Sequence, residues 1–433
     1  MIPTPLYLAF RYLHGHMRQY IFVLIVLAIG FAFISVTSSL SDGMDRNVTD
    51  AALRHYAGHI FITGRDGNAN SMMVIDHPKQ VEKAIEKADI PVERIIRRVH
   101  EHGGASAFFQ GNSFRLKDIF GVDFNAESHL FEGFDYVSGS FNSTWDKNSI
   151  ILSKPVAEKL RAQVDDRVII RLENRNGQLD TRTFTVRAIT ADSSIFGYAR
   201  AYVHRKALSS LMKLDPAEYS VFGIFVPDMS KAVSYSRSIY NALSENLPTA
   251  ERIENKSQLT SEIRKDWQGV RYFVFPLPIY ISEIANLLTA MEIGSYFLLA
   301  MIILVVLAAI IVTYRVVLHD RIREIGTMQA VGFSRMWLFI VLLIEALLVL
   351  GIGIAIGTLL SWIITYITSF ISFDWIPGFE IFMREGKLTA LYTVKTLSNN
   401  IAIVIGAVLP VISLLLISVV NTQITKLIKG ETK

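Results

Sequence analysis

The feature that most constrains this chain is the spacing of its long apolar segments. One segment lies near the N-terminus, and three more lie in the last third of the 433 residues. A helix needs about 20 residues to cross the hydrocarbon core of a bilayer, and each segment is long enough. The polar stretch after the first segment is long enough to fold as a domain. The sequence therefore predicts a membrane protein with four transmembrane α-helices and a large α+β domain inserted between the first and the second.

The limits of the apolar segments divide the chain into nine parts. The predicted spans cover residues 20–40, 293–318, 336–367 and 400–421. The remaining parts are an amphipathic helix (1–19), the large domain with stalk helices (41–292), a short helix (319–335), a loop (368–399) and a tail (422–433). We expect the amphipathic helix of residues 1–19 to lie on the membrane surface. The alternative is that these residues simply begin the first span.

Basic residues are distributed unevenly between the two sides of the predicted spans. Eight Lys or Arg residues stand in 1–19, 319–335 and 422–433 together, against three in 368–399. Short loops rich in Lys and Arg stay in the cytoplasm. Both termini are therefore expected inside, with the large domain outside. The first segment is long for a signal peptide, so we expect it to be an uncleaved anchor.

Composition and motifs exclude several classes of function. The formal net charge of +4 is too small to suggest nucleic-acid binding. Without cysteine the chain has no disulfide and no thiolate metal site. It contains no Gly-x-x-x-x-Gly-Lys-Ser/Thr, so it does not hydrolyse ATP through a phosphate-binding loop. The spacing of His100, His102 and His129 is typical of surface histidines, and we expect no metal site. No catalytic set is present either, and the chain is predicted to be neither an enzyme nor a cofactor-binding protein.

Strand-like and helix-like stretches alternate through the large domain. Residues 149–153, 167–172 and 183–190 have strand patterns, and a polar turn at Glu173–Gly177 joins the last two. Amphipathic helical patterns cover 79–88 and 231–245. We expect an α+β domain of two lobes divided near residues 100–150.

Two features inside the third span concern charge and packing. Glu345 is an intramembrane carboxylate, which suggests either a proton or ion path or a structural pair with Arg315 or Lys426. Gly351, Gly353 and Gly357 include a small-x-x-x-small spacing that lets helices approach closely. That packing serves either a dimer interface or contacts within the chain.

The segment between the second and third spans is too patterned for a simple linker. It reads His-Asp-Arg-Ile-Arg-Glu-Ile-Gly-Thr-Met-Gln-Ala-Val-Gly-Phe-Ser-Arg from His319 to Arg335. Apolar residues recur along it at helical spacing, with charges on either side: Ile322, Ile325, Met328 and Val331. A short helix of this kind suits docking into a groove of a soluble partner. The alternative is a basic turn resting on the membrane.

This segment resembles the FtsX/MacB-like permeases of ABC transporters, which include the lipoprotein-releasing LolC and LolE subunits. The family pattern of Arg-Glu-Ile-Gly, then Ala-x-Gly, then Glu-Ala is met by Arg323–Gly326, Ala330–Gly332 and Glu345–Ala346. The stretch from Ser153 to Arg171 is similar to the family's periplasmic core domain, although Asp165 stands where Gly is common. The order of one span, a periplasmic domain and three spans is also the family's.

The resemblance implies a non-catalytic permease subunit in a bacterial inner membrane. Its partners would be a cytoplasmic ABC ATPase that binds the ATP, a second permease (a copy or a paralogue), the lipid bilayer and a periplasmic cargo, most simply a lipoprotein. The residues implied to couple the permease to the ATPase are Arg321, Arg323, Glu324, Ile325, Gly326, Met328, Ala330, Gly332 and Phe333. Glu345, Gly353 and Gly357 are implied to act in transmembrane packing or charge.

Three functions remain open at this point. The leading interpretation is release of lipoproteins from the inner membrane for transport to the outer membrane, which the lack of an ATPase domain within these residues favours. The first alternative is MacB-like efflux or peptide export. The second is regulation of periplasmic cell-wall hydrolases, although division-type members of the family have a smaller external domain.

Overall fold

A computed structural model describes residues 5–15, 17–67, 72–191, 196–373, 375, 379, 382–384 and 386–421. The chain divides into two compact units. We call Met1–Asp45, Leu288–Trp375 and Gly386–Lys433 the helical unit, and Arg46–Leu287 with Ile376–Glu385 the sheet unit. The predicted tail 422–433, with Lys426, lies outside the described residues.

Thirteen α-helices lie in the described part of the chain. They are α1 (Pro5–Gly15), α2 (Met17–Tyr56), α3 (Pro78–Lys87), α4 (Ser128–Phe131), α5 (Lys154–Leu160), α6 (Arg205–Met212), α7 (Ala232–Ser244), α8 (Lys256–Ile263), α9 (Leu277–Tyr280), α10 (Ser282–Asp320), α11 (Ile322–Ala330), α12 (Arg335–Thr368) and α13 (Val394–Val420). Four of them, α2, α10, α12 and α13, are long and apolar enough to cross a membrane. They overlap the four predicted spans, whose limits remain predictions.

Helices α2 and α10 each contain a boundary between the two units. Helix α2 is unbroken for 40 residues, so the predicted stalk after the first span is a continuation of the same helix. Helix α10 begins at Ser282, after an extended segment that ends at Pro276 and the short helix α9, which contains Pro278. At these two boundaries the chain therefore passes from one unit to the other within a helix.

Twelve strands in the described residues form one mixed sheet. They are β1 (Ile60–Asp66), β2 (Arg94–His102), β3 (Ser106–Phe109), β4 (Asn112–Arg115), β5 (Asp118–Val122), β6 (Tyr136–Gly139), β7 (Ser149–Ser153), β8 (Arg167–Glu173), β9 (Leu179–Thr190), β10 (Arg200–His204), β11 (Val221–Phe225) and β12 (Val270–Pro276). Their order is β12-β1-β11-β2-β5-β10-β7-β9-β8-β3-β4, and β6 pairs with β9. Strands β5 and β7 are buried along their whole length, whereas β8 alternates exposed and buried residues as the sequence predicted.

The expected division of this domain into two lobes stays a prediction, and the two halves share one strand. Strand β2 pairs with β11 through residues 94–98 and with β5 through residues 99–102. The apolar core likewise extends across both halves, from Ile60 and Ile224 to Ile150 and Phe184. The turn at Glu173–Gly177 joins β8 to β9 as predicted, and Gly177 supplies the positive φ of +75° that the turn requires.

Candidate functional site

The short helix after the second predicted span is α11, and it is amphipathic. Ile322, Ile325 and Gly326 are buried inside the helical unit. On the opposite face Arg323 and Val331 are exposed, Val331 to 80%. The apolar stripe suggested as a docking surface is therefore mostly occupied by the helical unit itself, so any surface for a partner is the exposed face. We call α11 the coupling helix from here on.

The remaining predicted coupling residues divide between the two faces of this helix. Arg321, which precedes the helix, is buried, and Met328 is half-buried with its sulfur accepting a hydrogen bond from Tyr12. The ring of Phe333 packs against that of Trp337 at the start of α12, with the ring centroids 4.5 Å apart. The exposed members of the set are Glu324, Ala330 and Gly332. Gly332 adopts φ +104°, a conformation that favours glycine where the chain leaves the helix.

A buried ion pair fixes the start of the coupling helix. One terminal nitrogen of Arg321, Nη1, donates to both carboxylate oxygens of Glu345 on α12, at 2.7 and 2.8 Å. The hydroxyl of Tyr20 on α2 donates to Oε1 of Glu345 at 2.8 Å. Arg321 is 2% exposed and Glu345 is 0% exposed. Two helices of the membrane-spanning type are thus tied to the coupling helix by charge-assisted hydrogen bonds.

The partner of Glu345 differs from both sequence-based candidates. Arg315 is exposed on α10, and Lys426 lies outside the described residues. Arg321 takes this place because the chain turns back between α10 and α11, which brings residue 321 against α12. The guanidinium group also lies over the ring of Tyr12 on α1, 4.8 Å from its centroid. Glu345 is therefore paired with Arg321 in the structure, and its role stays a prediction.

One further contact joins the coupling helix to another helix of this unit, and a second lies within the coupling segment itself. The amide nitrogen of Gln329 donates to the backbone oxygen of Val420 at the end of α13, at 3.1 Å. The guanidinium of Arg321 also approaches Glu324 at 3.5 Å, but Glu324 is 47% exposed and this pair is weak. The coupling helix is consequently in contact with α1, α2, α12 and α13 through polar groups.

The glycines of α12 pack within the chain. A Cβ atom placed on Gly353 would lie 2.8 Å from Cβ of Leu27, and one on Gly357 would lie 2.7 Å from the backbone oxygen of Ala28. Only glycine permits this approach of α12 to α2. A Cβ atom placed on Gly351, in contrast, would meet no atom of another segment within 4 Å. The intrachain alternative therefore applies to Gly353 and Gly357.

The other end of α2 is anchored in the sheet unit. Nη1 of Arg98 donates to the backbone oxygen of His55 at 2.6 Å, and its Nε donates to Glu127 at 2.8 Å. Nη2 of Arg200 donates to the hydroxyl of Tyr56 at 2.9 Å. Both arginines are almost completely buried. The last turn of α2 is therefore bonded to strands β2 and β10.

His59 stands between this anchored end and strand β1. Its Nδ1 accepts a hydrogen bond from the backbone N–H of Val226 at 3.0 Å, which requires an unprotonated nitrogen. Burial lowers the pKa of His59 below its ordinary value of 6.5, although the nearby charge of Glu93 acts in the opposite direction. The neutral ring is thus the form that the fold accommodates.

Sequence reasoning found the acid of the membrane cluster but missed Tyr12, Tyr20 and Gln329. Tyr20 was assigned to the predicted start of the first span, where an aromatic residue is ordinary. Only the return of the chain through α11 shows that its hydroxyl faces a carboxylate 325 residues away. The arginines that anchor the end of α2 gave no sequence signal, because β2 and β10 were not predicted as strands.

Comparisons with known proteins agree with this architecture. Residues 21–234 match the family model for a MacB-like periplasmic core domain, and residues 296–424 match the FtsX-like permease C-terminal model. The chain is 19% identical over 386 residues to the lipoprotein-releasing system transmembrane protein LolC of Buchnera aphidicola subsp. Schizaphis graminum (strain Sg), covering 86% of each chain.

Two solved structures are similar to part of the chain. The periplasmic region of MacB from Actinobacillus actinomycetemcomitans matches 54% of this chain and 96% of its own, with 10% identity and a TM-score of 0.33. A domain of a putative permease from Porphyromonas gingivalis matches 50% of this chain and 87% of its own, with 14% identity and a TM-score of 0.27.

The two family models lie in the same order as the parts inferred from the sequence. The core-domain model covers most of the sheet unit, and the permease model covers α11, α12 and α13 with most of α10. Permeases of this kind are multi-pass proteins of the inner membrane, and they work with a cytoplasmic ABC ATPase and often with a partner permease. The chain belongs to the FtsX/MacB-like family of ABC transporter permeases.

Proposed function

We propose that this chain converts ATP-driven movement of a cytoplasmic ATPase into movement of its sheet unit outside the membrane. The observation that carries the proposal is the anchoring of α2 at both ends. Near its start, Tyr20 bonds to the Glu345–Arg321 pair that holds the coupling helix. Near its end, His55 and Tyr56 are bonded to buried arginines of the sheet unit.

A helix anchored in this way transmits displacement along its length. Its hydrogen bonds run parallel to its axis, and the 40 residues of α2 contain no proline. A movement of the coupling helix therefore acts on α2 through Tyr20 and on the sheet through the last turn. Both termini are placed in the cytoplasm in this proposal, and the ATP is bound by the partner subunit.

The cargo we propose is a lipoprotein, released from the inner membrane toward the outer membrane. Similarity to LolC over 86% of each chain supports this assignment. The second candidate is efflux or peptide export, which the match to the MacB-like core domain supports. A second permease, either a copy or a paralogue, completes the assembly, and α10 offers an apolar face for lipid or for that subunit, with Phe297 and Val305 each 67% exposed.

The mechanical part is tested by interrupting α2. Four flexible residues, Gly-Ser-Gly-Gly, are inserted between Asp45 and Arg46, where the helical unit ends. The control carries the same insertion after Asn176 in the exposed turn between β8 and β9. In proteoliposomes containing the chain and its ATPase, we expect the first variant to hydrolyse ATP without releasing cargo and the control to release it. Full release by the first variant would contradict transmission through α2.

The cargo is tested in the same proteoliposomes. A triacylated lipoprotein and a hydrophobic peptide are supplied in parallel, and ATP-dependent transfer of each to the outer solution is measured. Lipoprotein transfer alone supports the first candidate, and peptide transfer alone overturns it in favour of export. Capture of a cell-wall hydrolase by the intact complex, with transfer of neither, would favour the regulatory role.

The docking surface is tested at Val331. Its side chain directly follows the coupling helix and is 80% exposed, so Val331→Asp leaves the core of the helical unit unchanged. The matched control is Val394→Asp at the first residue of α13, where valine is 87% exposed. We expect the Val331 variant to lose co-purification with the ATPase and the control to keep it. Equal binding by both variants would remove the exposed face from the proposed interface.

A further inference from the structure

Two histidines and an aspartate of the sheet unit converge on one point. Nε2 of His100 donates to Oδ1 of Asp118 at 2.8 Å, and Nδ1 of His102 donates to the same oxygen at 2.7 Å. The two nitrogens and a carboxylate oxygen all lie within 4.8 Å of one another. His129, the third histidine considered in the sequence, is not part of this group and contacts Arg94.

The sheet itself creates this arrangement. His100 and His102 are two residues apart on β2, so their side chains leave the same face of the strand. Asp118 on β5 is the direct antiparallel partner of His102, which places the two Cβ atoms about 5 Å apart. All three residues thus stand on regular strands, where their backbone positions are fixed. Sequence spacing alone could not reveal Asp118 as the third member.

Neighbouring groups hold the cluster in position. Nε of Arg200 donates to the second oxygen of Asp118 at 3.1 Å, and the ring of His100 stacks at 4.3 Å on Phe120. Burial alone would raise the pKa of Asp118, but the hydrogen bonds from His100 and His102 hold it well below its usual range. These contacts fix both oxygens of Asp118 and the plane of the His100 ring.

The cluster opens to solvent on one side. His100 and Asp118 are buried, but the side chain of His102 is 55% exposed. His100 and His102 line a cavity of about 320 Å³ together with Glu101 and Arg175. Oε2 of Glu101 is buried and, among the described residues, has no hydrogen-bond partner. The cavity therefore gives an ion both a route to the cluster and room for a fourth ligand.

We propose that His100, His102 and Asp118 form a binding site for a divalent transition-metal ion of the Zn²⁺ type. Two imidazoles and a carboxylate are a common ligand set for Zn²⁺, with a fourth position filled by water or by a bound group. Tetrahedral binding separates neighbouring ligand atoms by about 3.4 Å. Each imidazole nitrogen would move about 0.6 Å from its hydrogen bond to Asp118, and each ring would carry its proton on the other nitrogen. In this site the ion links β2 to β5.

The test uses the full-length chain, purified in detergent with a tag that lacks histidine. After treatment with a chelator and its removal, Zn²⁺ uptake is measured by competition with a chromogenic zinc indicator. We expect one equivalent per chain to be withheld from the indicator. The variant His102→Ala removes the exposed ligand and should weaken Zn²⁺ binding at least 10-fold. Even the loss of a group that only hydrogen-bonds to a metal ligand lowers metal affinity by about 10-fold or more. Co²⁺ should give visible absorption bands with the wild-type chain that the variant lacks.

The control variant is His129→Ala, which removes another exposed histidine from the same unit. It should retain the full equivalent of Zn²⁺. Thermal unfolding without metal checks that both variants fold. Added Zn²⁺ should raise the unfolding midpoint of the wild-type chain and of His129→Ala, but not that of His102→Ala. Uptake of Zn²⁺ that is equal in the wild-type chain and in His102→Ala, or absent from both, would show that the cluster is only a hydrogen-bonded support of the sheet.

Discussion

The Arg321–Glu345 pair gives a prediction whose size follows from its geometry. Replacing Glu345 by Met leaves the guanidinium of Arg321 buried, with its two hydrogen bonds of 2.7 and 2.8 Å removed. The hydroxyl of Tyr20 loses its acceptor as well. Removing one member of a buried ion pair costs about 3–5 kcal/mol, chiefly because the remaining charge is uncompensated. We expect the same loss for Arg321→Met, which strands the carboxylate.

The double variant Arg321→Met with Glu345→Met provides the decisive comparison. Both charges are then absent, and a well-packed apolar pair is often as stable as a buried ion pair. The double variant should therefore be more stable than either single variant. Glu324→Gln serves as the control, since this carboxylate lies 3.5 Å from Arg321 but is 47% exposed. Its loss should cost at most about 1 kcal/mol.

The free energy of unfolding is measured by reversible unfolding of the full-length chain in mixed micelles with increasing sodium dodecyl sulfate. ATP-dependent release of cargo is measured separately, because a stable double variant that lacks the pair should still lose part of its coupling. The reasoning is refuted if each single variant loses less than about 1 kcal/mol. It is refuted equally if the double variant is less stable than both, since the loss would then reflect packing and not charge.

Three other predictions concern packing, pH and capping. Gly357→Ala places a Cβ atom 2.7 Å from a backbone oxygen of α2 and should destabilise the chain by about 1–3 kcal/mol in the same unfolding assay, whereas Gly351→Ala meets no atom within 4 Å and should be neutral or stabilising. Because the pKa of His59 is lowered in the fold, its contribution to stability is present above 6.5 and is lost as pH falls through its folded pKa, so His59→Gln should flatten the pH dependence of unfolding seen by circular dichroism. Ser334→Ala removes the hydroxyl that accepts the N–H of Trp337 at the start of α12 and should cost about 1 kcal/mol, measurable by the same unfolding assay.

The helices were predictable because their apolar segments are long and uninterrupted. A long apolar segment has few alternatives to a membrane-spanning helix. The positions of these segments along the sequence therefore located α2, α10, α12 and α13. The ends of the helices were harder to predict, because α2 continues through a polar sequence to Tyr56 without any residue that stops it. The polar part reads as a helix only because its apolar residues keep helical spacing.

The sheet unit was less predictable, and the reason is physical. Strands β2 and β12 contain several charged or aromatic residues, and both are stabilised by neighbours that are far away in sequence. Local patterns identified β7, β8 and β9, but not β2, β10 and β12. The same limitation hid Arg98 and Arg200, whose roles depend on pairings that no local pattern records.

The position of β1 in the sheet has a consequence for the synthesis of the chain. Its two neighbours are β11 and β12, and Asp66 pairs with Val270, about 200 residues later. At about 5–20 residues per second, a ribosome needs about 10–40 s to deliver that partner. Throughout this interval at least one edge of β1 is unpaired, and an unpaired edge is the kind of segment that aggregates. A nascent chain stalled before residue 270 should therefore depend on a chaperone far more than one stalled after residue 276.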